Sequence, residues 1–107
     1  MTVSIELDAL TWLASPRVRQ LTYQERGAYM DLLCHMAVLI AEDQAYGLPD
    51  DDAFLARLLG IEPRRWTRLR AALVDDVGAP LYAEDGWIYD ANFEPPESWG
   101  DPDEADV

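Results

Sequence analysis

The feature that most constrains this chain is the punctuation between residues 49 and 63, where Pro49 and three aspartates (Asp50, Asp51, Asp52) precede an apolar run that ends at Gly60, with Pro63 three residues on. Carboxylates suit the positive end of a helix, glycine suits its stop, and proline is tolerated only in a first turn. The spacing predicts a short helix from the triplet to about Leu59 and a second beginning at Pro63, joined by a tight turn. On the second helix Trp66, Leu69 and Leu73 fall within about sixty degrees of one another and mark its buried side. Arg64, Arg65 and Arg68 share an arc of about a hundred degrees centred away from them. Two short helices so joined read as a helix-turn-helix, whose second helix offers its N-terminal side chains to a major groove. Arginine there suits guanine edges or phosphates; the competing reading is a solvated face paired with nearby acids.

The flanking pattern fits the same architecture. Thr22 and Glu25 have the spacing of a capping box, so a helix is predicted from near Tyr23 to near Glu42, with Tyr29, Leu32, Leu33, Met36, Leu39 and Ile40 on its inner side. Before it, Ser4 to Glu6 reads as a short strand, and Asp8 as the cap of a brief helix through Leu10, Trp12 and Leu13 that stops before Ser15-Pro16. Tyr46-Gly47-Leu48-Pro49 reads as a turn. Leu81 to Tyr89 places Asp85-Gly86 between two short β-prone runs, a hairpin signal. The fold class is thus mainly α with a small β-hairpin (α+β), a winged helix-turn-helix-like single domain over residues 1–90. Asn92 to Val107, with three prolines and six acids, is expected to be an extended or disordered acidic tail, taken with residue 91 as a segment of its own (91–107) and pinned at most by Trp99.

Charge narrows the function classes. The 107 residues carry 21 acids against 8 bases, a net charge of −13, which repels phosphate backbones at long range. Nine of those acids lie from residue 84 onward, where no base occurs, and all eight bases are arginine. One cysteine (Cys34) and one histidine (His35) rule out an internal disulfide and a Cys/His zinc site. The N-terminal segment lacks the basic start and apolar run of a secretory signal, and no stretch approaches the length of a membrane span. A soluble cytoplasmic protein, without membrane partners, is expected.

Trp12, Leu21, the block Glu25-Arg26-Gly27-Ala28-Tyr29, Asp31-Leu32-Leu33, the block Leu48-Pro49-Asp50-Asp51-Asp52, Leu55-Ala56, Trp66 and Asp85-Gly86-Trp87 together carry a resemblance. Over roughly residues 8–90 the chain resembles the YdaU-like family of phage and prophage proteins, whose domain is similar to the winged-helix N-terminal module of phage replisome organisers. The resemblance implies a winged helix and a phage or prophage origin, hence a bacterial host cell, and leaves activity open.

No Gly-rich phosphate loop, nucleophile elbow or paired catalytic set is present, so the chain is expected to be a non-enzymatic binding protein needing no cofactor or metal. Helix capping accounts for Asp50–Asp52 better than cation binding does, even with Glu42 or Asp43 nearby. His35 is expected at a partly buried position and Cys34 away from the apolar arc. The leading expectation is a small acidic phage protein that inhibits a host nucleic-acid-binding machine, in the manner of anti-CRISPR or anti-restriction proteins. Asp85, Asp90, Glu94, Glu97, Asp101, Asp103 and Glu104 would then stand in for phosphates and pair with Lys and Arg of the partner. The alternative is a DNA-binding or replication-initiation accessory using Arg64, Arg65 and Arg68. A third arrangement has the tail fold back on those arginines. Leu10, Trp12, Trp87 and Tyr89 are left open between core and exposed patch.

Overall fold

The computed structural model describes residues 3, 7–42, 47–75 and 77–91. In chain order these form α1 (Ala9–Ala14), α2 (Pro16–Arg19), α3 (Tyr23–Ala41), β1 (Leu48–Pro49), α4 (Asp52–Leu59), α5 (Pro63–Leu73), β2 (Leu81–Glu84) and β3 (Trp87–Asp90). The result is an α+β fold in which the helices pack with one small antiparallel sheet of order β1-β3-β2. The strand expected over Ser4–Glu6 and the tail expected beyond Ala91 lie outside the described residues.

Local chemistry sets the helix ends. The Asp8 carboxylate accepts from the backbone N–H groups of Leu10 (3.1 Å) and Thr11 (3.2 Å), and those bonds, the Thr11 contact foremost, hold it below its ordinary pKa. At α3 the capping box is complete: Thr22 Oγ1 accepts from Glu25 N–H (3.2 Å) and Glu25 Oε1 from Thr22 N–H (2.9 Å). Asp51 caps α4 through Phe54 N–H (3.1 Å), Gly60 ends it in the left-handed region (φ 68°), and Pro63 opens α5. The hairpin turns on Asp85 (φ 52°) and Gly86 (φ 83°), the paired positive φ that a tight two-residue turn of this twist requires.

Two elements depart from expectation. Leu48–Pro49 is a strand rather than a turn: Leu48 pairs with Ile88 and Pro49 with Trp87, and Asp50 N–H donates to Gly86 O (2.9 Å). Pro49 is tolerated because β1 lies at the sheet edge. Gly47 leads into it so close to β3 that a Cβ would stand 2.7 Å from Ile88 O and 2.8 Å from the Tyr89 ring, which admits only glycine. The second departure is α2, a four-residue helix held by distant partners: Arg17 Nη1 donates to Ala79 O (2.6 Å) and Gln20 Nε2 to Gly78 O (2.7 Å).

Leu32, Leu48, Leu55, Trp66, Leu73 and Ile88 are fully buried and join α3, α4, α5 and the sheet in one core. Trp12 completes it from outside by stacking on Tyr29 (centroids 5.5 Å apart, 7° between planes), whereas Leu10 is 79% exposed. Tyr29 in turn donates its hydroxyl to Asp90 Oδ1 at 2.6 Å, and Asp90 is only 6% exposed. The hairpin therefore closes onto α3 through a buried phenol–carboxylate bond. Removing the hydroxyl takes a short hydrogen bond from a buried carboxylate, so Tyr29→Phe is expected to cost about 1–3 kcal/mol in urea denaturation; a loss under about 0.5 kcal/mol, within the usual surface range, would refute that role.

Candidate anion-binding surface

The three aspartates of the β1–α4 junction divide their work, and the orientation of α5 follows from it. Asp51 caps α4. Asp50 takes the Arg70 guanidinium in a two-pronged contact, Nη1 to Oδ1 at 2.5 Å and Nη2 to Oδ2 at 3.1 Å. Asp52 Oδ1 accepts both from Arg70 Nη1 (3.0 Å) and from the indole N–H of buried Trp66 (2.8 Å). Hydrogen bonding to Asp50 comes first among the causes that hold the Arg70 pKa above its ordinary value, with the charges of Asp50 and Asp52 adding to it and partial burial opposing. Asp50 also reaches the hairpin through its backbone N–H. The start of α4, the middle of α5 and the hairpin tip thus converge on Asp50 and Asp52.

With Trp66, Leu69 and Leu73 buried beneath it, α5 turns Arg64, Arg65 and Arg68 to the outside, and all three are exposed. Of the five other arginines, Arg19 and Arg57 are also exposed, and three are engaged within the fold. Arg17 is bound to Ala79 O; Arg26 donates to Val18 O and Arg19 O (both 3.1 Å) with its guanidinium 5.2 Å from the Tyr23 ring centre; Arg70 is held by Asp50 and Asp52. Arg64 and Arg68 form no ion pair with an acid among the described residues. Arg65 lies against the Gln24 carboxamide, whose oxygen, once the amide is turned over, would accept from Nε (3.1 Å) and Nη2. Gln24 was missed by sequence reasoning; its place one residue into α3, on the polar side, was the available signal. Gln24, Glu62, Arg64, Arg65, Arg68 and Leu69 line an open concavity of about 390 Å³.

The expected acidic set fares differently. Asp85 is exposed at the hairpin tip beside exposed Glu84. Asp90 is corrected: it faces inward onto Tyr29, and a buried, hydrogen-bonded carboxylate is not offered to a partner. Glu94, Glu97, Asp101, Asp103 and Glu104 lie outside the described residues. Tyr89 is half-buried and tilted on Tyr82 (5.5 Å, 34°); burial first, then the neighbouring Glu84, Tyr82 and Asp85, raises its phenol pKa. Trp87 remains 38% exposed. His35 is half-buried with Nε2 3.2 Å from Leu58 O, a bridge from α3 to α4, and Cys34 is exposed.

Among the described residues no group of three or more His, Cys, Asp or Glu is placed to hold a metal ion, and no helix is long and apolar enough to cross a membrane. Compared with known protein families, with curated proteins and with solved structures, the chain matches none.

If Asp52 orients α5 through the Trp66 indole, Asp52→Ala strands that buried N–H. A loss of about 1–3 kcal/mol is expected, measured by chemical denaturation and accompanied by a changed Trp66 environment in fluorescence. A neutral substitution would show that apolar packing alone sets the helix.

Proposed function

We propose that the chain is a non-enzymatic winged helix-turn-helix protein that binds duplex nucleic acid through the outer face of α5. The observation that carries this reading is the clustering of arginines on α5: Arg64, Arg65 and Arg68 stand together and exposed, whereas Arg17, Arg26 and Arg70 are committed to carbonyls and carboxylates of the fold and the exposed Arg19 and Arg57 belong to other helices. The element order α3-β1-α4-α5-β2-β3, with the two short helices joined by residues 60–62, supports the winged-helix assignment. The sequence blocks that resemble the YdaU-like family, although no family model matches the chain, extend the proposal to a phage or prophage protein acting in the bacterial cytoplasm. In this reading α4 lies across the backbone, α5 enters the major groove, and Arg64 and Arg68 meet phosphates or guanine edges. A net charge of −13 opposes approach at long range, so binding depends on the local arginine face and weakens steeply with salt.

A second reading is favoured by the exposed Glu84 and Asp85 at the hairpin tip. There the wing carboxylates imitate phosphates toward a host or phage protein with a basic nucleic-acid-binding surface, inhibiting it in the anti-CRISPR or anti-restriction manner.

Fluorescence anisotropy of a labelled duplex tests the first reading. Replacing both Arg64 and Arg68 by Glu is expected to weaken binding at least about tenfold at low salt and to flatten the slope of log K against log salt by about two. Equal binding by the variant would exclude α5. For the second reading, Glu84→Lys with Asp85→Lys is expected to abolish capture of basic nucleic-acid-binding proteins from a bacterial lysate, and undiminished capture would remove the wing from consideration.

A further inference from the structure

Beside the arginine concavity lies a second hollow of about 240 Å³, and the two share Gln24, Arg65 and Leu69. Gly27, Ala28, Leu59 and Ile61 line the second one, so a continuous groove runs between α3 and the α4–α5 turn, apolar at one end and rimmed by Arg64, Arg65 and Arg68 at the other. Asp31 and Glu62 also line it, leaving one net positive charge among the five ionic side chains.

Gly27 is the unexplained residue here. It sits inside α3, exposed, and a Cβ at that point would meet nothing within 4 Å. Glycine in a helix interior is less favourable than alanine, and nothing among the described residues requires it. Its absent side chain keeps the groove open for an occupant that approaches the α3 backbone closely.

We propose that the occupant is the acidic segment 92–107 of the same chain, with Trp99 in the apolar hollow and the flanking carboxylates on the arginine rim. Charge complementarity and reach support this choice. The segment has six acids, no base, and Trp99 flanked by Glu97 and Asp101. Its starting point is fixed beside the right helix: Asp90 is bonded to Tyr29, two residues along α3 from Gly27, and Ala91 N–H donates to Pro80 O (2.8 Å). Eight residues from Ala91 to Trp99 span up to about 28 Å, enough to pass around a helix about 10–12 Å across. The proposal deepens the α5 reading, since the segment covers the face that nucleic acid would use. Docking is nevertheless measurable without nucleic acid.

The test uses the full chain carrying 5-fluorotryptophan, the Trp99 resonance being assigned with Trp99→Phe and the buried Trp66 resonance reporting the fold. Gly27→Leu fills the hollow with a better helix former, and Arg64→Glu with Arg68→Glu reverses the rim. Trp99 of the wild type is expected to be shielded from a soluble paramagnetic agent about fivefold more than in either variant, the ratio for a segment docked about four-fifths of the time, and equally so on tenfold dilution. Equal access in all three proteins overturns the proposal, and so does shielding that fades on dilution, which assigns the groove to a second copy. In a separate arm, converting the six tail acids to amides is expected to tighten duplex binding about tenfold. Shielded Trp99 with no duplex binding by either form upholds the docking and removes the nucleic-acid reading.

Discussion

The contact on which the rest of the molecule depends is the fork between Asp50 and Arg70. It lies where the sheet, α4 and α5 meet, and it is only partly shielded: the side chains are 22% and 28% exposed. A pair so placed adds modestly to stability, since water screens it. Its larger effect is directional, because a planar guanidinium held at two oxygens admits little rotation. With Asp52 bridging the same guanidinium to the Trp66 indole one turn earlier, α5 is tied at two successive turns to the start of α4. Apolar packing alone would leave that angle softer, since leucines tolerate sliding more readily than a bidentate pair does.

A second constraint closes the other end. Trp12, Tyr29 and Asp90 form a stack and a hydrogen bond that link α1, α3 and the last residue of β3, elements far apart in the chain. Asp50 secures the hairpin at its tip, through Gly86 O, and Asp90 secures it at its base. The hairpin is thereby held at two points on opposite ends of a four-residue ladder. What α5 and the hairpin present outward is set by contacts at the base of both elements.

Much of this was legible because its causes are local. Thr22 with Glu25, Gly60, Pro63 and Asp85-Gly86 each specify a backbone conformation within a few residues, so helix ends and hairpin turn followed from them. Strand β1 did not, because two residues acquire strand character only by pairing with Ile88 and Trp87, some forty positions later, and Gly47 reads as a turn residue until the approach of Tyr89 is known. The same holds for α2, whose stability comes from carbonyls at 78 and 79. Asp90 was misjudged as a surface acid by its charge, although strand alternation gives the right answer: it shares a face with buried Ile88, two residues before it. Of the surface, the Arg64–Arg65–Arg68 arc came from helical periodicity, while Gln24 as its neighbour and the open floor at Gly27 required the packing of α3 against α5.

The short first strand also governs how the sheet ends. An open sheet edge is a template on which another chain can add a strand. Here β1 forms one edge with two residues, one of them a proline that has no N–H to donate. At the other edge, Leu81 already bridges to Val74 and accepts from Asp75, and β2 ends in Glu84, next to Asp85. Among the described residues, neither border offers a long uncharged row of free backbone groups. Growth of the sheet from molecule to molecule is thus disfavoured at both margins.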